Sequence, residues 1–149
     1  MSGPQRSGTS DPFHLDRFVT AQDSGGTYQR ALAELRAGRK AGHWMWFIFP
    51  QVAGLGFSAM AQRFAISGLA ESRAYLAHPV LGPRLRECTG AIAAVDDSTA
   101  DRILGPVDAM KLRSCMTLFA DAAPEEDVFG EVLARYFDGE PDEATLARL

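Results

Sequence analysis

Cysteine is scarce in this sequence, and its two copies, Cys88 and Cys115, each fall inside a helix-like apolar pattern. Neither a disulfide framework nor a Cys-x-x-Cys metal site is available, and both thiols read as small buried hydrophobes. The three histidines form no His-Glu-x-x-His pair, so no metal is expected and no cofactor motif stands out. Apolar runs are short: none approaches the roughly 20 residues that span a bilayer. Residues 1–10 have no apolar centre and do not make a secretory signal. They read as a disordered leader, and the protein is expected to be cytoplasmic. Positive charge is not in excess either. A net charge of -4 and a pI near 5.3 argue against a duplex nucleic-acid binder, which needs a basic face. Internal repeats and low-complexity stretches are absent.

What is present is ample core material. Hydrophobic residues make up 46% and charged residues 23% of 149 positions, the balance of one globular domain. Helix signals recur along it. Asp11-Pro12 has the form of an N-cap followed by a first-turn proline, with Leu15, Phe18, Val19 and Gln22 as a stripe. Thr27 caps a second helix whose apolar side is Tyr28, Ala31, Leu32 and Leu35, ended by Gly38. Helices follow from Gly68 to Ala77, over Leu85, Cys88, Ile92 and Val95, and from Thr99 to Gly105. Pro106 starts a long one through Ala122. Glu125 to Phe137 and a last short helix opened by Pro141-Asp142-Glu143 complete the set. The expectation is an all-α fold of seven or eight helices, with residues 11–149 as a single compact helical domain.

Aromatic bulk is concentrated in Lys40–Ser58, which holds both tryptophans and three of nine phenylalanines. A strand from Trp44 to Phe49 would find only Phe64-Ala65-Ile66 as a partner, and two such short strands are marginal. A helical turn becoming extended at Phe49 is the better reading, because the residue before Pro50 is pushed out of the helical region. The stretch suits an aromatic wall with polar groups at its rim, or a plain core. Trp44 and Trp46 can stack on a flat ring, or fill the interior as tryptophans more commonly do. Gln51 can read the polar edge of such a ring, or cap local backbone. Gly54 and Gly56 allow close backbone approach, and Ser58 can cap a helix facing an anion; the plainer reading is a glycine turn. The spacing is neither a Gly-x-Gly-x-x-Gly nor a phosphate loop. His43 is the acid–base candidate by its ordinary pKa. On the Pro106 helix, Asp108 and Lys111 fall within an apolar half formed by Val107, Leu112, Cys115, Met116, Leu118 and Phe119, and lie three apart. Thr117 is placed on the wet side with Arg113 and Asp121. A charged pair there is either a structural ion pair or part of a site.

At His43-Trp-Met-Trp-Phe-Ile-Phe-Pro-Gln51 the sequence resembles an uncharacterised, mainly bacterial family, domain of unknown function 1810, whose members are often labelled calpastatin. Gly54-Leu-Gly56-Phe-Ser58, Tyr75-Leu-Ala-His-Pro-Val-Leu-Gly82, Asp108-Ala-Met-Lys-Leu-Arg-Ser114, Thr117-Leu-Phe119 and Gly139-Glu-Pro-Asp142 carry the resemblance on, over about residues 11–149. It implies a compact, mostly helical domain and transfers no catalytic residue. Gly42 departs from the small polar residue, such as serine, expected before the histidine. Calpastatin itself is a disordered polar chain, which a sequence with this much core material does not resemble.

The combined reading is a pocket for a small polar or anionic ligand, a nucleotide or ADP-ribose-like molecule, with hydrolysis or glycosidic cleavage as the reaction if there is one. His43, Asp108 and Lys111 are the catalytic candidates. Lys40, Trp44, Trp46, Gln51, Gly54, Gly56, Ser58 and Ser114 are the ligand-binding candidates. The rival reading is a non-catalytic protein-interaction module with a structural aromatic core.

Overall fold

The computed structural model describes residues 10–149, and among them every regular element is helical. The disordered leader expected over 1–10 therefore lies, except for Ser10, outside the described residues. In chain order the helices are α1 (Asp16–Asp23), α2 (Thr27–Ala37), α3 (Met45–Ile48), α4 (Ala59–Arg63) and α5 (Leu69–Ala77). They continue with α6 (Leu81–Ala93), α7 (Ala100–Leu104), α8 (Pro106–Ala122), α9 (Val128–Phe137) and α10 (Glu143–Leu146). A 3-10 turn at Ser24–Gly26 joins α1 to α2. These ten segments exceed the seven or eight expected; α4, five residues with none buried, has no apolar stripe to announce it.

Several boundaries follow the sequence signals. Gly38, in the left-handed region at φ 74°, ends α2. Thr99 accepts from the Arg102 N–H at the start of α7, and Ser58 does the same for Ala61 in α4. Pro106 opens α8. Other starts move. Asp11-Pro12 makes a turn rather than a helix start, because His14 adopts φ 56° and interrupts the spiral. Asp11 still caps α1 from a distance, its carboxylate accepting from the Leu15 and Asp16 N–H groups at 2.6 and 2.9 Å. The α2 cap is Gly26, and the Thr27 hydroxyl instead donates to the Ser24 carbonyl. Phe49 leaves the helical region at ψ 74°, as the following proline requires.

The core is continuous from α1 to α9. Phe18 meets Tyr75 edge-on at 5.1 Å, Tyr75 lies 5.4 Å from Phe119, and Phe119 lies 5.8 Å from Phe129. Helix α8 runs through the middle, packed by α5, α7, α9 and α10. This encirclement overrides its sequence pattern. Thr117, placed on the wet side by helical projection, is 2% exposed, whereas Val107, assigned to the apolar half, is 66% exposed.

One backbone bridge supplies the only sheet-like contact among the described residues. Val52 pairs with Ile66 in the parallel sense; Ile66 N–H donates to Gln51 O, and Ala53 N–H to Ile66 O, both at 2.8 Å. Arg17 fastens this loop from below, donating to Arg63 O and Ala65 O at 2.8 Å and pairing with Glu71 at 3.0 Å. The loop that carries Gln51 to Ser58 is thereby held against α1 and α5.

Candidate functional site

The site begins with a hydrogen-bonded turn after α2. One oxygen of Glu34 accepts from the Ala41 and Gly42 N–H groups and from the Trp44 indole, at 2.8, 2.9 and 2.9 Å. Burial pushes the Glu34 carboxyl up, but the Gly42 and Ala41 bonds, the Trp44 bond and the Lys40 charge together outweigh it and hold it below the ordinary glutamate range. A lowered folded pKa means stability that is present above the unfolded value, 4.5, and is lost as pH falls through the folded one. Glu34→Gln should therefore lower the urea midpoint at pH 7, and the gap to wild type should narrow as both are titrated from above pH 4.5 toward pH 3. A gap that persists undiminished at pH 3 would show that the charge of Glu34 is not what the turn uses. Gly42 belongs to this turn. A Cβ there would come within 2.9 Å of Trp44 Cδ1, so the serine expected at this position would have to displace the indole.

The same turn delivers Lys40. Its N–H donates to Ile103 O at 2.8 Å, its ammonium donates to Gly42 O and lies 5.1 Å from the Trp44 ring centre. From there it pairs with Asp108 at 3.0 Å. The other Asp108 oxygen is 3.4 Å from Lys111, whose ammonium sits 5.1 Å from the Trp46 ring centre. One carboxylate thus lies between two lysines, each over a tryptophan face. The side chains are 10% exposed at Lys40, 19% at Asp108 and 25% at Lys111, so Lys111 is the more open end.

Beyond Lys111 lies a cleft of about 420 Å³ between α8, α10 and the 51–61 segment, within the range of small-ligand sites. Of the sequence candidates, Trp46, Gln51, Gly56, Ser58, Lys111 and Ser114 border it. The other five do not. Trp44 is 2% exposed and belongs to the core. Lys40 and Asp108 stand behind Lys111. Gly54 edges a small neighbouring depression, and its carbonyl accepts from Arg148 at 3.3 Å. His43 is exposed one residue before Trp44, and the lining of the cleft begins at Trp46. His78 instead caps α6, its Nδ1 accepting from Val80 and Leu81 N–H.

Two features of the cleft lie beyond the sequence candidates. Asp142, from the start of α10, borders it; one carboxylate oxygen accepts from the Thr145 N–H, the Thr145 hydroxyl and the Ser114 hydroxyl. The second oxygen has no donor among the described residues. The rim is apolar and open, with Phe57 82%, Met110 71% and Val107 66% exposed. Neither thiol takes part: both cysteines are buried, and burial raises Cys88 to about 12 and Cys115 well above its ordinary value. Among the described residues, no group of three or more metal-binding side chains comes together, and no helix is long and apolar enough to cross a membrane.

The protein is thus a single helical core with a tryptophan-lysine cleft at one side. The chain belongs to the family described as protein of unknown function DUF1810, whose model matches residues 12–149. It is similar to the conserved hypothetical protein Rv1873 from Mycobacterium tuberculosis, known from a crystal structure at 1.38 Å. The two are 52% identical with a TM-score of 0.90, over 93% of this chain and 98% of the other. A comparison with curated proteins returned no match.

Proposed function

We propose that the cleft binds a small ligand with a flat apolar part and an anionic group, of the nucleotide or ADP-ribose-like kind. The observation that carries this is Lys111: it lines the cleft with its ammonium over Trp46, while the Asp108 charge beside it is shared with Lys40. A half-neutralised cation at the wall of a partly apolar cleft favours an incoming anion. Trp46 and the apolar rim suit a ring, and Gln51, Ser58, Ser114 and the second oxygen of Asp142 offer hydrogen bonds to the rest. Hydrolysis or glycosidic cleavage, if the ligand is turned over, falls in this reading to Lys111, which borders the cleft, with Asp108 behind it as its charge partner. His43 stands outside the cleft and has no part in that step.

The test is a thermal-shift screen of wild type and Lys111→Met against nucleotides, dinucleotides, sugar phosphates and simple anions. A ligand at about 100 times its Kd adds ~2.7 kcal/mol, a rise of roughly 5–11 °C for a chain of this size. Lys111→Met should keep its fold and lose that rise. Single-turnover assays with the same compound then decide whether it is cleaved. The open rim supports a second reading, a protein-interaction module, since Phe57, Met110 and Val107 together expose apolar surface. That reading stands instead if no compound shifts wild type and Lys111→Met melts higher.

A further inference from the structure

We infer that Lys40, which does not border the cleft, sets the cleft's affinity for anions by acting through Asp108. The inference rests on the ligand reading above and names a positioning residue for it. Asp108 has one charge and two partners: Lys40 at 3.0 Å and Lys111 at 3.4 Å. Lys40 is the closer and the better buried. It is fixed by the Gly42 carbonyl and the Trp44 ring, and through the Glu34-held turn, so it cannot swing away to water. Glu34 spends one oxygen on three N–H groups of that turn. The Lys40–Asp108–Lys111 set carries one net positive charge, and the end of it that meets the cleft is Lys111. Remove Lys40, and Asp108 turns its whole charge on Lys111; the set becomes a closed neutral pair, and an incoming anion must compete with a carboxylate already in place. Remove Asp108, and Lys111 stands free.

Opposite effects from the two partners of one ion pair are what a merely structural pair would not produce. Inorganic phosphate and AMP serve as probes, titrated calorimetrically into wild type, Lys111→Met, Lys40→Met, Lys40→Arg, Asp108→Asn and the Lys40→Met/Asp108→Asn double variant, each checked for folding by its melt. Lys111→Met should weaken AMP by about 10–100-fold, the scale of a lost charged hydrogen bond. Lys40→Met should weaken it by about 3–10-fold, Lys40→Arg should stay within about twofold, and Asp108→Asn should tighten it by about 3–10-fold. The double variant should return to wild-type affinity or better, because the competing carboxylate is gone. If Lys111→Met loses binding while Lys40→Met matches wild type, or if Asp108→Asn weakens binding, the role assigned to Lys40 is wrong and the cleft reading survives. Should neither probe bind wild type, or Lys111→Met bind as well as wild type, the cleft reading itself is overturned and this inference with it.

Discussion

Glu71→Ala should cost about 3–5 kcal/mol and lower Tm by roughly 6–20 °C. Glu71 is 3% exposed on α5. One of its oxygens pairs with Arg17 at 3.0 Å, and the other accepts from the Ser67 N–H and hydroxyl, both at 2.8 Å. Arg17 has carbonyl partners besides, at Phe13, His14, Arg63 and Ala65, so truncating Glu71 leaves a guanidinium that is hydrogen-bonded but has lost its counter-charge. That imbalance, rather than the lost contact, is the source of the large figure. Removing both charges tests the point. A Arg17→Met/Glu71→Met double variant should be less damaged than Glu71→Ala alone, measured as urea midpoints at unchanged slope. A double variant hit by the sum of the two single losses would place the cost in packing and hydrogen bonds instead.

Gly82→Ala should be comparably severe, for a steric reason. Gly82 lies in the first turn of α6, where that helix folds back against the end of α5. A Cβ there would fall 2.1 Å from the Leu76 carbonyl oxygen and 2.9 Å from its carbon. Backbone cannot rotate aside as a side chain does, so the two helices must separate, at a cost of about 3 kcal/mol or more. Helix propensity acts in the opposite direction and offers only about 1 kcal/mol. Gly90 in the same helix isolates that smaller effect: a Cβ there meets nothing within 4 Å. Gly90→Ala should therefore raise stability by about 0.5–1 kcal/mol while Gly82→Ala lowers it. If both glycines respond alike in thermal melts, the close crossing at Leu76 is not a constraint in solution.

These positions also mark where sequence reasoning works and where it stops. Local signals located α2, with its face of Tyr28, Ala31, Leu32 and Leu35, and gave α8 its start at Pro106 and its end at Ala122. Such features depend on neighbours within a few residues. The Arg17–Glu71 and Lys40–Asp108 pairs join segments far apart in the chain, and no periodicity announces them. Trp44 and Trp46 are two residues apart and alike in composition, yet Trp44 is buried under Lys40 while Trp46 borders the cleft. Only tertiary packing separates them. Thr117 misled for the same reason: its hydroxyl accepts from the Asp142 N–H, and the segment leading into α10 covers a face that would otherwise be wet. His43 was singled out by its chemistry alone, and chemistry does not say which way a loop turns.

The central place of α8 has a consequence for a chain synthesised from its N-terminus. Helices α1, α2, α5 and α6 touch one another and can assemble as they emerge, but α5 and α7 also need α8. Until Pro106–Ala122 has left the ribosome, Tyr75, packed on Phe18, has no Phe119 on its other side. Between the synthesis of Tyr75 and that of Phe119 the nascent chain therefore carries an open apolar trough, a stage at which holding chaperones matter more than they do for the finished protein.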